Sequence, residues 1–415
     1  MKKLFASKAS SCRICKRNTL IPVISLGLSP LANSFLSKNQ MRKKELFFPL
    51  ETVFCPKCSL LQLSHVVNPN LLFKQYLYVS STSQTFIKHF QKLAKSVIKQ
   101  LKLQKNDLIV DIGSNDGILL KPFKKLGMRT LGVDPAENVA PIARANGIDT
   151  IIAYFNDKIA KKIIKKYGKA KVISGTNVFA HINDYDELIN SVKMLLNPKG
   201  TFIIEVPYLV DFLKKNLFDT IYHEHLSYLS VRPLATLFKR FDMEIVSVQR
   251  VPSHGGSIRV FIKNASSNPH INHSVKNLLF LEKKLQLDNM KTYIKFAAKI
   301  QANKILLIEM LKKLKKKRKT IIGFGAPAKG NTLLNFFSIG TDYLDYIIDD
   351  NPLKQGLFTP GTHIPVVSVN KLREAAPDYI LILAWNFAES IMDRFEDFHK
   401  KGGKFILPVP IPKIA

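Results

Sequence analysis

The four cysteines of the chain form two Cys-x-x-Cys turns, CRIC at 12–15 and CPKC at 55–58, separated by 39 residues. A tight turn of this kind offers two thiolates on one side, and a second pair completes the tetrahedral soft-ligand set that Zn²⁺ prefers. A closed four-thiolate site leaves no position for a reacting water. Cys12, Cys15, Cys55 and Cys58 are therefore expected to hold a structural zinc that staples a small lobe. Four unrelated cysteines or a redox dithiol are the plainer alternatives, and two knuckles with no cysteine left over argue against both.

A second chemical signature lies at 108–117, LIVDIGSNDG, where an apolar strand runs into a turn with Gly113 and Gly117. Glycines there let the backbone approach a ligand at a helix start. Asp134 closes the next strand, 17 residues after Gly117, where a carboxylate can accept both ribose hydroxyls of an adenosine. The spacing is not the Gly-x-Gly-x-x-Gly of a dinucleotide site, which favours adenosylmethionine over NAD. A late glycine turn, GFGAPAKG at 323–330, is followed by Asp349 and Asp350 after the next strand. Its third glycine comes late and Pro327 interrupts it, so it reads as a degenerate phosphate loop in which Lys329 and Asn331 can grip a diphosphate. His223 and His225 would share a face if TIYHEH (220–225) were a strand, but no third ligand cluster supports a second metal there.

The elements that must position these residues follow from the pattern of apolar segments. Strands are expected at 108–112, 129–134, 149–154, 171–178 and 200–206, separated by lysine-rich helical stretches, which is the alternation of a parallel α/β sheet. An antiparallel edge hairpin, 244–251 with 257–263, follows. Residues 71–103 read mainly as helix and 273–317 as a helical bridge. A last α/β unit has strands at 319–323, 344–348, 379–384 and 404–407. The expected organisation is a zinc lobe (1–70), a Rossmann-like core (71–270), the bridge (271–317) and a second Rossmann-like domain (318–415).

The composition, 46% hydrophobic and 23% charged, excludes a disordered chain, and no apolar run approaches the roughly 18 residues of a membrane span. The amino terminus lacks an apolar stretch of signal-peptide length, so a cytoplasmic location is expected. Lys and Arg outnumber acids by 63 to 31, which points to an anionic partner. The excess is spread along the chain, and its densest run, KKLKKKRK at 312–319, reads as a solvated helix end before a domain.

Asp111, Gly113, Asn115, Gly117 and Asp134 match the first two cofactor motifs of class I adenosylmethionine-dependent methyltransferases. With the zinc lobe ahead of them, GTNVFAHI (175–182), EVPYL (205–209), TIYHEHLSYLS (220–230), HGGSIRV (254–260) and GFGAPAKGNTLLN (323–335) resemble the sugar C-methyltransferases, which methylate C3 of a nucleotide-linked 4-keto-6-deoxy sugar. The resemblance covers nearly the whole chain. It implies a three-part fold, S-adenosylmethionine as cofactor, a structural zinc, and a thymidine-linked keto sugar as the small-molecule partner. No nucleic acid or membrane partner is expected, and a monomer is.

The same resemblance implies that His225 is the base, with Tyr222 and Glu224 beside it and Tyr76 approaching the sugar. Asn177, His181 and His254 are expected to line the substrate cleft, with Lys329 and Asn331 on the nucleotide. These types suit the chemistry, because a carbon beside a ketone must lose a proton before it attacks, and histidine has the side-chain pKa nearest neutrality. The enolate then needs donors at its oxygen, which Tyr222, Tyr76 or His181 can supply. The competing readings are a zinc-knuckle nucleic-acid methyltransferase or RNA-binding protein, and a nicotinamide oxidoreductase using the turn at 323. Against the first, the place of the usual Asn/Asp-Pro-Pro-Tyr loop holds GTNVFAH.

Overall fold

The computed structural model describes residues 5–76, 79–373 and 376–415. Both Cys-x-x-Cys turns close in the same way. Lys16 N–H donates to Cys12 C=O and Ser59 N–H to Cys55 C=O, and both donor residues take a positive φ. Around them lie β1 (Ala6–Lys8), β2 (Ile21–Pro30), β3 (Phe47–Phe54), β4 (Leu61–Leu63) and β5 (His65–Val67). The two long strands, β2 and β3, show no clean period-two pattern in the sequence, because their pairing slips register twice, between Pro22 and Ile24 and between Ser25 and Leu28.

The core strands are β6 (Leu108–Ile112), β7 (Arg129–Asp134), β8 (Thr150–Ile152), β9 (Ala170–Thr176) and β10 (Leu196–Pro207). After β11 (Ser227–Tyr228) come β12 (Met243–Val251) and β13 (Ser257–Asn264). They form one sheet in the order β12-β13-β10-β9-β6-β7-β8, parallel except that β13 runs antiparallel to both neighbours. This is the expected parallel sheet with its edge hairpin. All five residues of β6 are buried, as a central parallel strand requires. The helix Gln84–Leu101 covers the sheet with Phe90, Leu93, Ala94 and Val97, one stripe of a 3.6-residue period. The expected long helix over 71–103 is thus shorter, preceded by the single turn Pro69–Phe73; positions 77 and 78 lie outside the described residues.

β11 belongs to another sheet. It pairs with β4, giving the order β11-β4-β3-β2, so the segment after His225 becomes the edge strand of the zinc lobe. The bridge is two helices, His273–Lys284 and Met290–Lys316. The second buries Tyr293, Phe296, Ile300, Asn303, Leu307, Leu311 and Leu314 and turns its lysines outward, so the run at 312–319 is largely a solvated helix end. No helix among the described residues is long and apolar enough to cross a membrane.

The last sheet contains β14 (Ile321–Phe324), β15 (Ile347–Ile348), β16 (Val366–Val367), β17 (Tyr379–Ile382), β18 (Lys404–Leu407) and β19 (Lys413–Ile414), in the order β16-β15-β14-β17-β18-β19. The two-residue β16 and β19 were not expected, being too short to carry a pattern. The turn after β14 repeats the one after β6. Gly113 N–H donates to Val133 C=O and Gly325 N–H to Ile348 C=O, in each case to the residue before a strand-end aspartate. Asp134 then accepts from Asn115 N–H and Ala136 N–H, each at 2.8 Å, and Asp349 from Ala326 N–H (2.6 Å) and Asn351 N–H (2.8 Å).

Candidate active site

The carboxyl ends of the core strands and of the last sheet open onto one cavity of about 1120 Å³. That is where open α/β sheets bind ligands. The core wall carries Asp111, Gly113, Asn115 and Asp134. The far wall carries Lys329, Lys354, Trp385 and Asn386, and between them stand Tyr76, Asn177, His181, Tyr222, Glu224, His225 and His254.

At the core wall, Gly113 has φ +67, and a Cβ there would lie 2.2 Å from Val178 Cγ2, so only glycine fits. Gly117 is a packing glycine outside the lining: its Cβ would meet Ile148 Cγ1 at 2.9 Å. Asp111 is buried and accepts from Ser174 Oγ at 2.6 Å; burial pushes its carboxyl up to about 7. Burial also raises Asp134, partly offset by the two N–H groups it accepts. Ala153, Tyr154 and Phe155, next to Asp134 in the cavity lining, extend the wall beyond the motif residues. A carboxylate at the rim, a glycine that keeps the backbone open and adjacent apolar rings fit an adenosine-bearing cofactor such as S-adenosylmethionine.

The middle of the cleft is built around His225. Its Nδ1 lies 2.9 Å from Thr220 C=O, an acceptor only, so the ring proton sits on Nδ1 and Nε2 carries the lone pair. Tyr222 OH is 2.9 Å from that Nε2 and donates to it. Burial pulls His225 down to about 4, which keeps it neutral at ordinary pH. His181 stacks between Phe73 (5.5 Å) and His225 (5.1 Å), and burial, then the nearby His225, hold it well below its usual value. Among the described residues, its buried Nε2 and the Oδ1 of Asn177 have no hydrogen-bond partner. Glu224 accepts from Asn33 Nδ2 (2.6 Å) and Tyr76 OH (3.0 Å), and burial raises it to about 7.

Segment 220–225 is not a strand, so the two histidines part company. His223 packs edge-on against Phe48 of the zinc lobe, at 5.8 Å, while His225 joins Tyr222 and His181. Among the described residues the one metal-ligand cluster is the four cysteines, whose sulfurs lie within 4.8 Å of one another, with Cys12–Cys58 and Cys15–Cys55 at 3.5 Å. Thiolates on a tetrahedral zinc with bonds of about 2.3 Å stand about 3.8 Å apart, so the set fits that ion.

At the far wall Lys329 Nζ lies 4.3 Å above the Trp385 ring and donates to Asn386 Oδ1. Trp385 Nε1–H in turn donates to Asp219 at 2.5 Å. Burial brings Lys329 down to about 8, despite the attraction of Asp219. The nearby Lys329 also adds to the burial that holds His254 at about 4. Lys354, likewise lowered by burial, donates to Ala326 C=O at 2.7 Å. Asn331 is not brought to the cleft: it is buried, and its Nδ2 donates to Ala32 C=O of the zinc lobe. Sequence reasoning missed Asn33, Lys354, Trp385 and Asn386. Only Trp385, as the sole tryptophan, carried a compositional signal.

Three family models match the chain: a "Putative zinc binding domain" over 12–73, a "Methyltransferase domain" over 86–248 and a "C-methyltransferase C-terminal domain" over 252–410. The C-methyltransferase NovU of Streptomyces niveus is 38% identical over 403 residues, covering 97% of this chain and 96% of that protein. The ubiquinone biosynthesis O-methyltransferase of Bartonella bacilliformis is 28% identical over 97 residues, 23% of this chain and 39% of that one. Among solved structures, magnesium protoporphyrin IX methyltransferase of Synechocystis PCC 6803 aligns with 13% identity and a TM-score of 0.33, over 43% of this chain and 81% of that one.

Proposed function

The chain belongs to the C-methyltransferase family, and from that premise we propose that it methylates C3 of a nucleotide-diphosphate 4-keto-6-deoxy sugar, with S-adenosylmethionine as donor. The observation that carries this reading is a neutral imidazole, His225, whose Nε2 lone pair faces Tyr222 OH in a cleft that has aspartates on one wall and lysines on the other. The aspartate wall suits a sulfonium-bearing adenosine. The lysine wall suits a diphosphate.

In this reading Asp134 holds the ribose of the cofactor and the turn at Gly113 and Asn115 its backbone-facing side. Bound there, S-adenosylmethionine supplies an electrophilic methyl carbon. Lys329, with Lys354 near it, receives the diphosphate, which leaves the keto sugar beside His225. Tyr222 O–H first turns from Nε2 to the ketone oxygen, which frees the Nε2 lone pair to take the proton of the carbon next to the ketone, and the electrons of that C–H bond pass into the enolate. Tyr222 then donates to the enolate oxygen. Glu224, raised to about 7 by its burial and so able to hold a proton, offers a further donor there, and Tyr76, whose own O–H goes to Glu224, fixes that carboxyl in place. Held by Asp134 and the turn at Gly113, S-adenosylmethionine would supply the methyl group to the enolate carbon and leave as S-adenosylhomocysteine, and the imidazolium of His225 returns its proton to solvent.

A cavity of about 1120 Å³ and lysines scattered along the chain favour a small molecule over nucleic acid. The test is incubation with S-adenosylmethionine and thymidine- or uridine-linked 4-keto-6-deoxy sugars, with mass analysis and NMR of the product. One added methyl at C3 is expected. A methyl at C5, the other carbon next to the ketone, would overturn the regiochemistry, and no methylation of any nucleotide keto sugar would overturn the substrate class.

A further inference from the structure

Arg13 lies inside the first zinc knuckle, between two of the cysteines, and is 4% exposed. Among the described residues no carboxylate pairs with it. The negative charge beside it is that of the cysteine site itself, and the guanidinium hydrogen bonds go to neutral acceptors, so which acceptors they are is informative. Its backbone N–H donates to Gln62 Oε1 (2.9 Å). Its Nη1 donates to two carbonyls, Leu63 (2.8 Å) and Leu226 (3.2 Å), and its Nε to Asn183 Oδ1 (3.2 Å). Leu226 directly follows His225, and Asn183 lies two residues after His181. Leu226 C=O also accepts from Leu63 N–H at 2.9 Å, and β4 pairs with Ser227–Tyr228 just beyond.

One planar guanidinium therefore ties the first knuckle to the segments that carry His225 and His181. Only arginine has donors spread in a fixed fork that can meet these acceptors together. We propose that Arg13 is a positioning residue, through which the zinc knuckle sets the placement of His225 and His181. The zinc ion then acts on catalysis at one remove: it fixes the turn, the turn fixes Arg13, and Arg13 fixes the carbonyl after the base. The catalytic part of this proposal rests on the function proposed above, whereas the structural part does not.

The test uses the full zinc-loaded chain carrying Arg13→Lys, Arg13→Met or, from the core side of the contact, Asn183→Ala. Zinc content and S-adenosylmethionine affinity should stay as in the wild type, since neither the thiolates nor Asp134 is touched. Turnover should fall, by about 10²-fold for the arginine variants, with the sugar KM nearly unchanged, as expected for a base displaced by a fraction of an ångström to an ångström. Hydrogen exchange of the amides over 220–228 should quicken in the same variants. Zinc-loaded variants with wild-type turnover and wild-type exchange over 220–228 would overturn the proposal. If the arginine variants fail to fold, Asn183→Ala decides. If the wild type methylates no nucleotide keto sugar, the function reading fails alone, and the exchange measurement still decides whether Arg13 holds the segment.

Discussion

Removing the ammonium of Lys329 should make the free protein more stable and its hold on a nucleoside diphosphate weaker. Burial lowers this lysine from 10.5 to about 8 in the folded chain. At about 1.36 kcal/mol per pH unit, staying charged at neutral pH costs the fold about 3 kcal/mol, and since part of the side chain still meets solvent, about 1–3 kcal/mol is the fair range. The sign is fixed by proton counting. Between pH 8 and 10.5 the unfolded chain holds this proton and the folded chain does not, so the wild type gains stability as pH rises through that window. Below pH 8 the cost is constant. Lys329→Met should therefore melt higher than the wild type at pH 7, and the difference should shrink by pH 10. Against this, losing a charge-assisted contact of about 1.5–3 kcal/mol should weaken thymidine diphosphate binding about 10- to 150-fold. Trp385, the only tryptophan, lies 4.3 Å beneath the ammonium, so its fluorescence reports the titration directly. A variant that melts lower at pH 7, or binds the diphosphate as well as the wild type, would refute the reasoning.

Three further outcomes follow from the same geometry. Cys55→Ser, or prolonged chelation, should release about one zinc per chain by mass spectrometry and abolish turnover, because the lobe that loses its staple supplies the strand next to β11. Asp134→Ala should weaken S-adenosylmethionine by roughly 1–3 kcal/mol in calorimetry while leaving the diphosphate affinity alone. Nitrogen NMR should find His225 as the Nδ1–H tautomer throughout pH 6–8: with a value of about 4 it is about 99% neutral at pH 6, and titration near 6.5 would contradict the assignment.

What the sequence disclosed, and what it hid, divides by range. The glycine turn, Asp134, the four cysteines and the parallel strands with their hairpin are local patterns, and each was legible because spacing alone carries them. Asn33 and Glu224 are 191 positions apart and Arg13 and Leu226 are 213 apart, so nothing in either neighbourhood announces the contact. Asn331 misled for a related reason. A polar residue near a glycine turn looks like a ligand, but its helix turns it inward, where the carbonyl of Ala32 takes its amide hydrogen. The lobe strands were obscured by bulges, and TIYHEH by an alternation of polar residues that folds as turns instead of a strand.

The central claim is that His225 removes a proton from the carbon next to the ketone. It is tested most directly by solvent exchange, with S-adenosylhomocysteine in place of the methyl donor, a nucleotide-linked 4-keto-6-deoxy sugar, and deuterium oxide as solvent. The wild type is predicted to exchange the C3 hydrogen, followed by NMR, and His225→Ala to lose that exchange by about 10²–10⁴-fold while still binding both ligands. Exchange at the wild-type rate in His225→Ala would contradict the account and move the base to Tyr222 or Tyr76.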